Sequence, residues 1–216
     1  MPRLRAHSLA TSLDGYMAGP EQSLEAPLGI GTENLHAWVF ETSFGRGMMG
    51  QEGGTTGIDD QWLRRGEENI GATIMGRNMF TPYRGAWDTP ESKTWDGWWG
   101  PTPPYGHPVF VLTHHARDPL PMEGGTTFYF VTDGIQSAYD QAMEAAAGKD
   151  VRLGGGAETV REYLNAGLVD ELHVATVPVI LGAGASLFDG VDTTALELAE
   201  FATSEKVAHS RFVRKS

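Results

Sequence analysis

Apolar residues fall in short runs separated by Gly, Pro and small polar residues, and the spacing within each run predicts its element. Leu4 to Ala10 reads as a strand. It ends in Thr11-Ser12-Leu13-Asp14-Gly15-Tyr16, whose Asp-Gly pair signals a turn into a second short strand, Tyr16 to Ala18. From Gly19 to Gly57 the chain is rich in Gly, Ser and Thr. Leu35, Trp38, Val39 and Phe40 interrupt it at helical spacing, which predicts a long loop carrying one short helix. Asp59 to Asn69 reads as a helix whose acidic first turn suits the macrodipole. A buried strand, Gly71 to Met75, then runs through Gly76-Arg77-Asn78 into another helix. Tyr83 to Pro108 sets Trp87, Trp95, Trp98 and Trp99 among so many Pro and Gly that no regular element is expected.

The second half is more regular. Pro108 to Thr113 and Thr126 to Val131 read as buried strands, and Ile135 to Ala147 as an Ala-rich helix ending at Gly148. The strand Val151 to Leu153 leads through three glycines into a helix from Ala157 to Asn165, closed by Gly167. A Val-rich strand, Glu171 to Ile180, and a hairpin between Leu196 and Arg214 complete the chain. This order predicts a mixed sheet covered by helices. No internal repeat or dividing linker is visible, so residues 1–216 are expected to form one domain.

Composition narrows the function classes. With 40% hydrophobic and 20% charged residues the chain is neither polar enough for disorder nor apolar enough to span a membrane. Its longest apolar runs, such as Val177 to Leu181, fall far short of the roughly 20 residues of a membrane helix. No secretory apolar region follows Met1 to Arg5, so a cytoplasmic protein without a membrane partner is expected. The absence of cysteine excludes disulfides, thiol catalysis and cysteine-ligated metal. A net charge of -12 opposes binding to a phosphate backbone, which argues against nucleic acid as a partner. An anionic cofactor stays compatible, because local backbone N–H groups bind phosphate against an unfavourable net charge.

Two segments carry the candidate chemistry. Leu153-Gly154-Gly155-Gly156 enters a helix that starts Ala157-Glu158-Thr159, which sets unblocked N–H groups at a positive helix end and suits a diphosphate. The plain alternative is close packing of strand and helix. The run is not the Rossmann fingerprint, since Thr159 stands where a third glycine is required. In the second segment a strand ends at Gly76 and is followed by Arg77 and Asn78, the arrangement of a second phosphate contact; an ordinary exposed Arg is the alternative. His114 and His115 are adjacent on a strand, face opposite ways and have no third ligand nearby, so no metal site is expected. The tryptophans suit stacking on a flat substrate, a dimer contact or a satellite core.

Taken in order, Ser12-Leu13-Asp14-Gly15, Ile74-Met75-Gly76-Arg77, Phe110-Val111-Leu112-Thr113, Leu153-Gly154-Gly155-Gly156 and Gly167-Leu168-Val169-Asp170-Glu171-Leu172 resemble the dihydrofolate-reductase-like superfamily. Within it the Ser-Leu-Asp-Gly turn and the run Leu168 to Gly182 are more similar to the reductase domain of the riboflavin-biosynthesis deaminase-reductase. The resemblance covers nearly the whole chain outside segments 20–58 and 85–106, which read as insertions. It implies a three-layer α/β/α fold with a mixed, mostly parallel eight-stranded sheet and a C-terminal β-hairpin. It also implies a homodimer, an NADPH site with NADH as second choice, and hydride transfer to a small heterocyclic or conjugated substrate.

By matching position, Gly76, Arg77 and Asn78 would hold phosphate, Thr113 and His114 would lie by the adenosine ribose phosphate, and Val131 or Thr132 would flank the adenine. Leu153 to Thr159 would cradle the diphosphate, and Asp14, Gly15 and Tyr16 would border the nicotinamide. Asp60 stands as far before Gly76 as the helix carboxylate of folate reductases stands before their glycine, which makes it a candidate proton donor beside Asp14. Helix capping for Asp60 and a tight turn for Asp14 are the alternatives. Ala157 departs from the polar residue that folate reductases carry after the glycines, and His107 replaces the Arg that grips the folate tail, so folate is not the expected substrate. Two readings stay open beside the reductase: a dinucleotide-binding protein without turnover, and a stand-alone pyrimidine reductase of riboflavin biosynthesis.

Overall fold

The computed structural model describes residues 2–192 and 195–215. The chain begins with β1 (Leu4–Thr11), β2 (Tyr16–Ala18), α1 (Ala37–Glu41), α2 (Ser43–Met48), α3 (Ile58–Glu67), β3 (Ile70–Gly76), α4 (Arg77–Phe80) and α5 (Pro90–Thr94). It continues with β4 (Pro108–Leu112), β5 (Leu120–Pro121), β6 (Thr127–Val131), α6 (Gly134–Ala145), β7 (Asp150–Leu153), α7 (Ala157–Asn165) and β8 (Glu171–Thr176). The last three strands are β9 (Ala185–Ser186), β10 (Leu196–Thr203) and β11 (Ala208–Arg214).

The main sheet has nine strands in the order β10-β11-β8-β1-β7-β3-β4-β6-β5, and β2 and β9 form a separate ribbon. The six strands from β8 to β6 run parallel, with antiparallel pairs at both edges. Eight strands were expected. The ninth is β5, whose Leu120 and Pro121 pair with Phe128 and Thr127; two residues are too short to show a period in sequence. The strand expected from Glu171 to Ile180 stops at Thr176, because Pro178 cannot donate to a ladder, and Ile180 turns to solvent.

One face of the sheet packs on α6 and α7. Ala138 and Ala142 are fully buried there, and small side chains let α6 sit close to β3 and β4. Val160, Tyr163 and Leu164 of α7 join Leu4, Ala6, Ile74, Leu153 and Leu172 in the principal core. The alternation of β1 is interrupted at Ser8, where φ is 57° and the register to β8 shifts. Leu9 therefore returns to the principal core while Ala10 packs on the opposite face with Leu35, Trp38 and Leu63.

That opposite face is covered by α3 and by the two segments that interrupt the resemblance. Segment 20–58 was expected to carry one short helix and carries two. Thr42 separates them, its hydroxyl accepting from Gly45 N at 3.0 Å to cap α2. Segment 85–106 holds one helical turn, α5, with Thr89 as N-cap and Pro90 at the first position. Between α3 and the sheet lies a buried polar layer in which Glu171 takes His7, Arg5, Arg3 and Arg211 as partners and Trp62 stacks on His173 and His209. Among the described residues no helix is long and apolar enough to cross a membrane.

Candidate cofactor and substrate cleft

The C-terminal ends of β1, β3, β4, β6 and β7 open onto a cleft of about 1940 Å³. Ligands of open α/β sheets bind at such strand ends, since the loops there are free to diverge while the sheet stays fixed.

The cleft has a glycine floor. Gly154 N donates to Ile74 O at 2.8 Å and Gly76 N donates to Gly155 O at 2.7 Å, which stitches the β7–α7 turn to the end of β3. A Cβ on Gly76 would stand 2.3 Å from Thr159 Oγ1, so only glycine fits there, and Gly155 sits at φ 110°. No side chain caps α7 at Gly156, and Ala157, Glu158 and Thr159 line the cleft. The first-turn N–H groups of a nine-residue helix thus stand at the cleft floor at its positive end. A diphosphate fits this floor because nothing larger than glycine hydrogens stands between it and the backbone.

Arg77 faces the same space. Its Nη1 donates to Thr113 Oγ1 at 3.2 Å, its guanidinium lies 3.8 Å from the Trp87 ring centre, and Nε and Nη2 have no partner. Arg117 lies near the same ring at 5.0 Å and leaves its Nη1 without a partner. Burial, together with the charges of Arg84 and Arg117, holds the Arg77 guanidinium below its ordinary pKa. Among the described residues neither Arg77 nor Arg117 forms a salt bridge, an uncommon state for half-buried guanidiniums and one that suits an anionic group.

Of the residues singled out in sequence, Tyr16, Gly76, Arg77, Asn78, Thr113, His114, Val131, Gly154, Gly156, Ala157, Glu158 and Thr159 line this one cleft. Leu153 does not: it is fully buried in the principal core. Gly155 turns toward Met79 and Met17, and Gly15 serves the β1–β2 turn at φ 86°.

Both candidate acids are engaged elsewhere. Asp60 is absent from the cleft wall, and its carboxylate accepts from Phe44 N at 2.7 Å, Ser43 Oγ at 3.0 Å and Arg64 Nε at 2.7 Å. These donors outweigh burial and lower its pKa, so it clamps the N-terminus of α2 to α3. Asp14 accepts from Ser12 Oγ at 2.6 Å, Leu181 N at 3.1 Å and Gly182 N at 2.7 Å. The Ser12 hydroxyl and these amides bring its pKa down to about 2, which leaves it ionised at neutral pH.

Other cleft residues gave no sequence signal. Glu67 at the end of α3 and Arg152 of β7 are paired in the cleft although 85 positions apart. Nearby His107 Nε2 meets Thr73 Oγ1 at 2.7 Å, and Tyr105 lines the wall with Trp98 and Trp99. His36, Val39, Phe40, Phe44, Met48 and Met49 of segment 20–58 form the facing wall with Leu63. Only a known register between distant strands brings these groups together.

A mostly parallel mixed sheet, a glycine cradle where a central strand enters its helix and an open cleft at the strand ends define an α/β protein of the dihydrofolate-reductase-like fold. The RibD C-terminal domain family matches residues 6–210, and the chain belongs to that family. The uncharacterized protein YyaP of Bacillus subtilis (strain 168) is 39% identical over 59 residues, 27% of this chain and 31% of YyaP. This chain thus matches about a third of that relative's length. A putative riboflavin biosynthesis protein from Shewanella sp. PV-4 has the same fold, with a TM-score of 0.62, 20% identity and full coverage of both chains. Dihydrofolate reductase from Enterococcus faecalis, solved with NADP(H), superposes with a TM-score of 0.54 and 15% identity over 99% of this chain and 97% of that one.

Proposed function

We propose that the protein is an NADPH-dependent reductase of a small heterocyclic or conjugated substrate. The observation that carries this reading is Arg77, which lines the cleft beside the glycine cradle with a half-buried guanidinium whose enclosed Nε and Nη2 have no hydrogen-bond partner. The cradle suits the diphosphate, and Arg77 with Arg84, both on the cleft wall, supplies the positive charge that an additional phosphate on the ribose would meet. That charge favours NADPH over NADH. Bound NADPH would supply a hydride from its nicotinamide ring. The chain's own part is positioning: the floor fixes the phosphates, and the walls at Leu63 and Trp98 exclude water from the substrate.

A second reading, nucleotide binding without turnover, is favoured by one observation: Asp14 and Asp60 are both held as hydrogen-bonded carboxylates, away from a proton-donating role. Cofactor consumption that depends on a second ligand separates the two.

The test is thermal unfolding with NADPH and NADH. At a hundredfold excess over Kd a ligand of the folded state adds about 2.7 kcal/mol. For a chain of this size that raises Tm by about 5–10 °C. Arg77→Ala is expected to weaken NADPH about tenfold, the loss of a charge-assisted contact, while changing NADH little. No shift with either nucleotide sinks the proposal.

A further inference from the structure

The wall built by segment 20–58 shows a sorting of charge. The segment contains five glutamates and one arginine, namely Glu21, Glu25, Glu33, Glu41, Glu52 and Arg46, and none of them lines the cleft. What it does turn to the cleft is uncharged and largely apolar: Gln22, Pro27 and Leu28, then His36, Val39, Phe40, Phe44, Met48 and Met49. Phe40 and Met49 stay 47% and 52% exposed, an open apolar surface at the cleft mouth. A charged group laid against this wall would lose its water and gain no counter-ion. A flat ring would gain aromatic and thioether contacts.

Two polar side chains of the segment line the cleft, Gln22, whose Nε2 donates to Pro27 O at 2.9 Å, and His36. The Nδ1 of His36 is enclosed and has no hydrogen-bond partner. An enclosed N–H without an acceptor is rarer and costlier than an enclosed lone pair without a donor, which assigns the ring proton to Nε2. Burial brings the pKa of the ring down to about 4, so the imidazole is neutral in this wall and Nε2–H is its only donor.

We propose that this wall binds an uncharged, conjugated cyclic ketone, with the Nε2–H of His36 donating to its carbonyl oxygen. The proposal rests on the reductase reading and narrows its substrate class. Reduction would add a hydride, two electrons and one proton, to the conjugated carbon while the nicotinamide is oxidised. The displaced electron pair would come to rest on the carbonyl oxygen beside His36, and a proton from water would complete the product. Substrates bearing carboxylates or phosphates would be excluded from this wall.

The experiment measures binding of menadione, 2-cyclohexen-1-one and dihydrofolate, with 2-methylnaphthalene as the carbonyl-free partner of menadione. It uses the full chain with and without NADP+. Wild type is expected to prefer menadione over 2-methylnaphthalene by about tenfold, the value of one buried hydrogen bond. His36→Phe, which keeps the shape and loses the donor, should abolish that preference, and His36→Gln, which keeps an N–H, should restore part of it. The rise in Tm with NADPH should be equal in all three proteins. A preference that survives in His36→Phe overturns the assignment of the donor. Binding of dihydrofolate but of neither ketone, in protein that binds NADP+, overturns the substrate class and leaves the reductase reading intact. Ketone binding that depends on His36 in protein that binds neither nucleotide supports the wall and overturns the reductase reading.

Discussion

Replacing Gly76 by Ala tests whether the cradle is built by space or by backbone conformation. The backbone at Gly76 has φ -73° and ψ 157°, which any L-residue adopts, so strain of the main chain contributes nothing. Space is the whole obstacle. The added Cβ would stand 2.3 Å from Thr159 Oγ1, but 3.5 Å from Thr159 Cβ and 3.6 Å from Gly156 N, both ordinary contacts. One buried, β-branched hydroxyl therefore causes the clash, and its stiff χ1 resists moving it aside. Overpacking of this kind costs about 1–3 kcal/mol, which is a fall in Tm of about 4–8 °C at the middle of that range. Thr159→Ala alone should cost about 1 kcal/mol. In the double variant the clash is gone, so the two effects should fall short of additive by about 1–2 kcal/mol. Urea unfolding of the four proteins measures this coupling, and NADPH titration should show affinity lost in Gly76→Ala and recovered in the pair. Strict additivity would refute the argument, because the hydroxyl would then not be what Gly76 accommodates.

Three further outcomes are expected. Glu171→Gln leaves Arg3, Arg5 and Arg211 facing an uncharged amide in the buried polar layer, so stability should fall by about 3–5 kcal/mol in urea unfolding; a loss under about 1 kcal/mol would show that the arginines re-pair. Burial lowers the pKa of His7, His36, His107, His173 and His209, that of His173 to about 2. The unfolded chain therefore takes up protons first as pH falls below about 6.5, and stability should decline from there by up to about 1.4 kcal/mol per pH unit for each such ring. Unfolding free energies that stay flat between about pH 7.5 and 5.5 would contradict this. Asp60→Asn should destabilise by about 1–3 kcal/mol, since it removes an acceptor from Phe44 N, Ser43 and Arg64, while leaving the pH profile of turnover in place. A profile that loses its alkaline limb, the fall in rate as a general acid is deprotonated, would return Asp60 to the role of proton donor.

The parallel strands were legible because they are short apolar runs bounded by glycines, and the Gly154 to Gly156 turn because three glycines before an amphipathic helix have few other uses. The two-residue strands β5 and β9 were not, since pairing across the chain alone defines them. In segment 20–58, Gly45 and Gly47 hide α2 from any propensity argument. That helix forms because Thr42 caps it and Asp60 holds the Phe44 N–H from outside. The grouping of Arg77 with Thr113 was legible from the order of motifs. The stacking of Arg77 on Trp87 was not, because a Trp among Pro and Gly residues carries no direction.

Asp59 and Asp60 show why a correct spacing can lead to a different role. Adjacent residues on a helix point about 100° apart, so the two carboxylates must serve different neighbours. Asp59 Oδ1 meets His209 Nε2 at 2.9 Å and ties α3 to β11, while Asp60 ties α3 to α2. Leu63 and Glu67 continue the stripe of Asp59 at i+4 and i+8, and they reach the cleft where Asp59, held by His209, does not. The helix thus offers the cleft an apolar side chain and a carboxylate already paired with Arg152, and no free acid. Because Phe44 and Met48 stand on the helix that Asp60 clamps, loss of Asp60 would loosen the wall beside the substrate. Its signature in kinetics would be a raised KM with kcat preserved, which separates a residue that holds the wall from one that moves a proton.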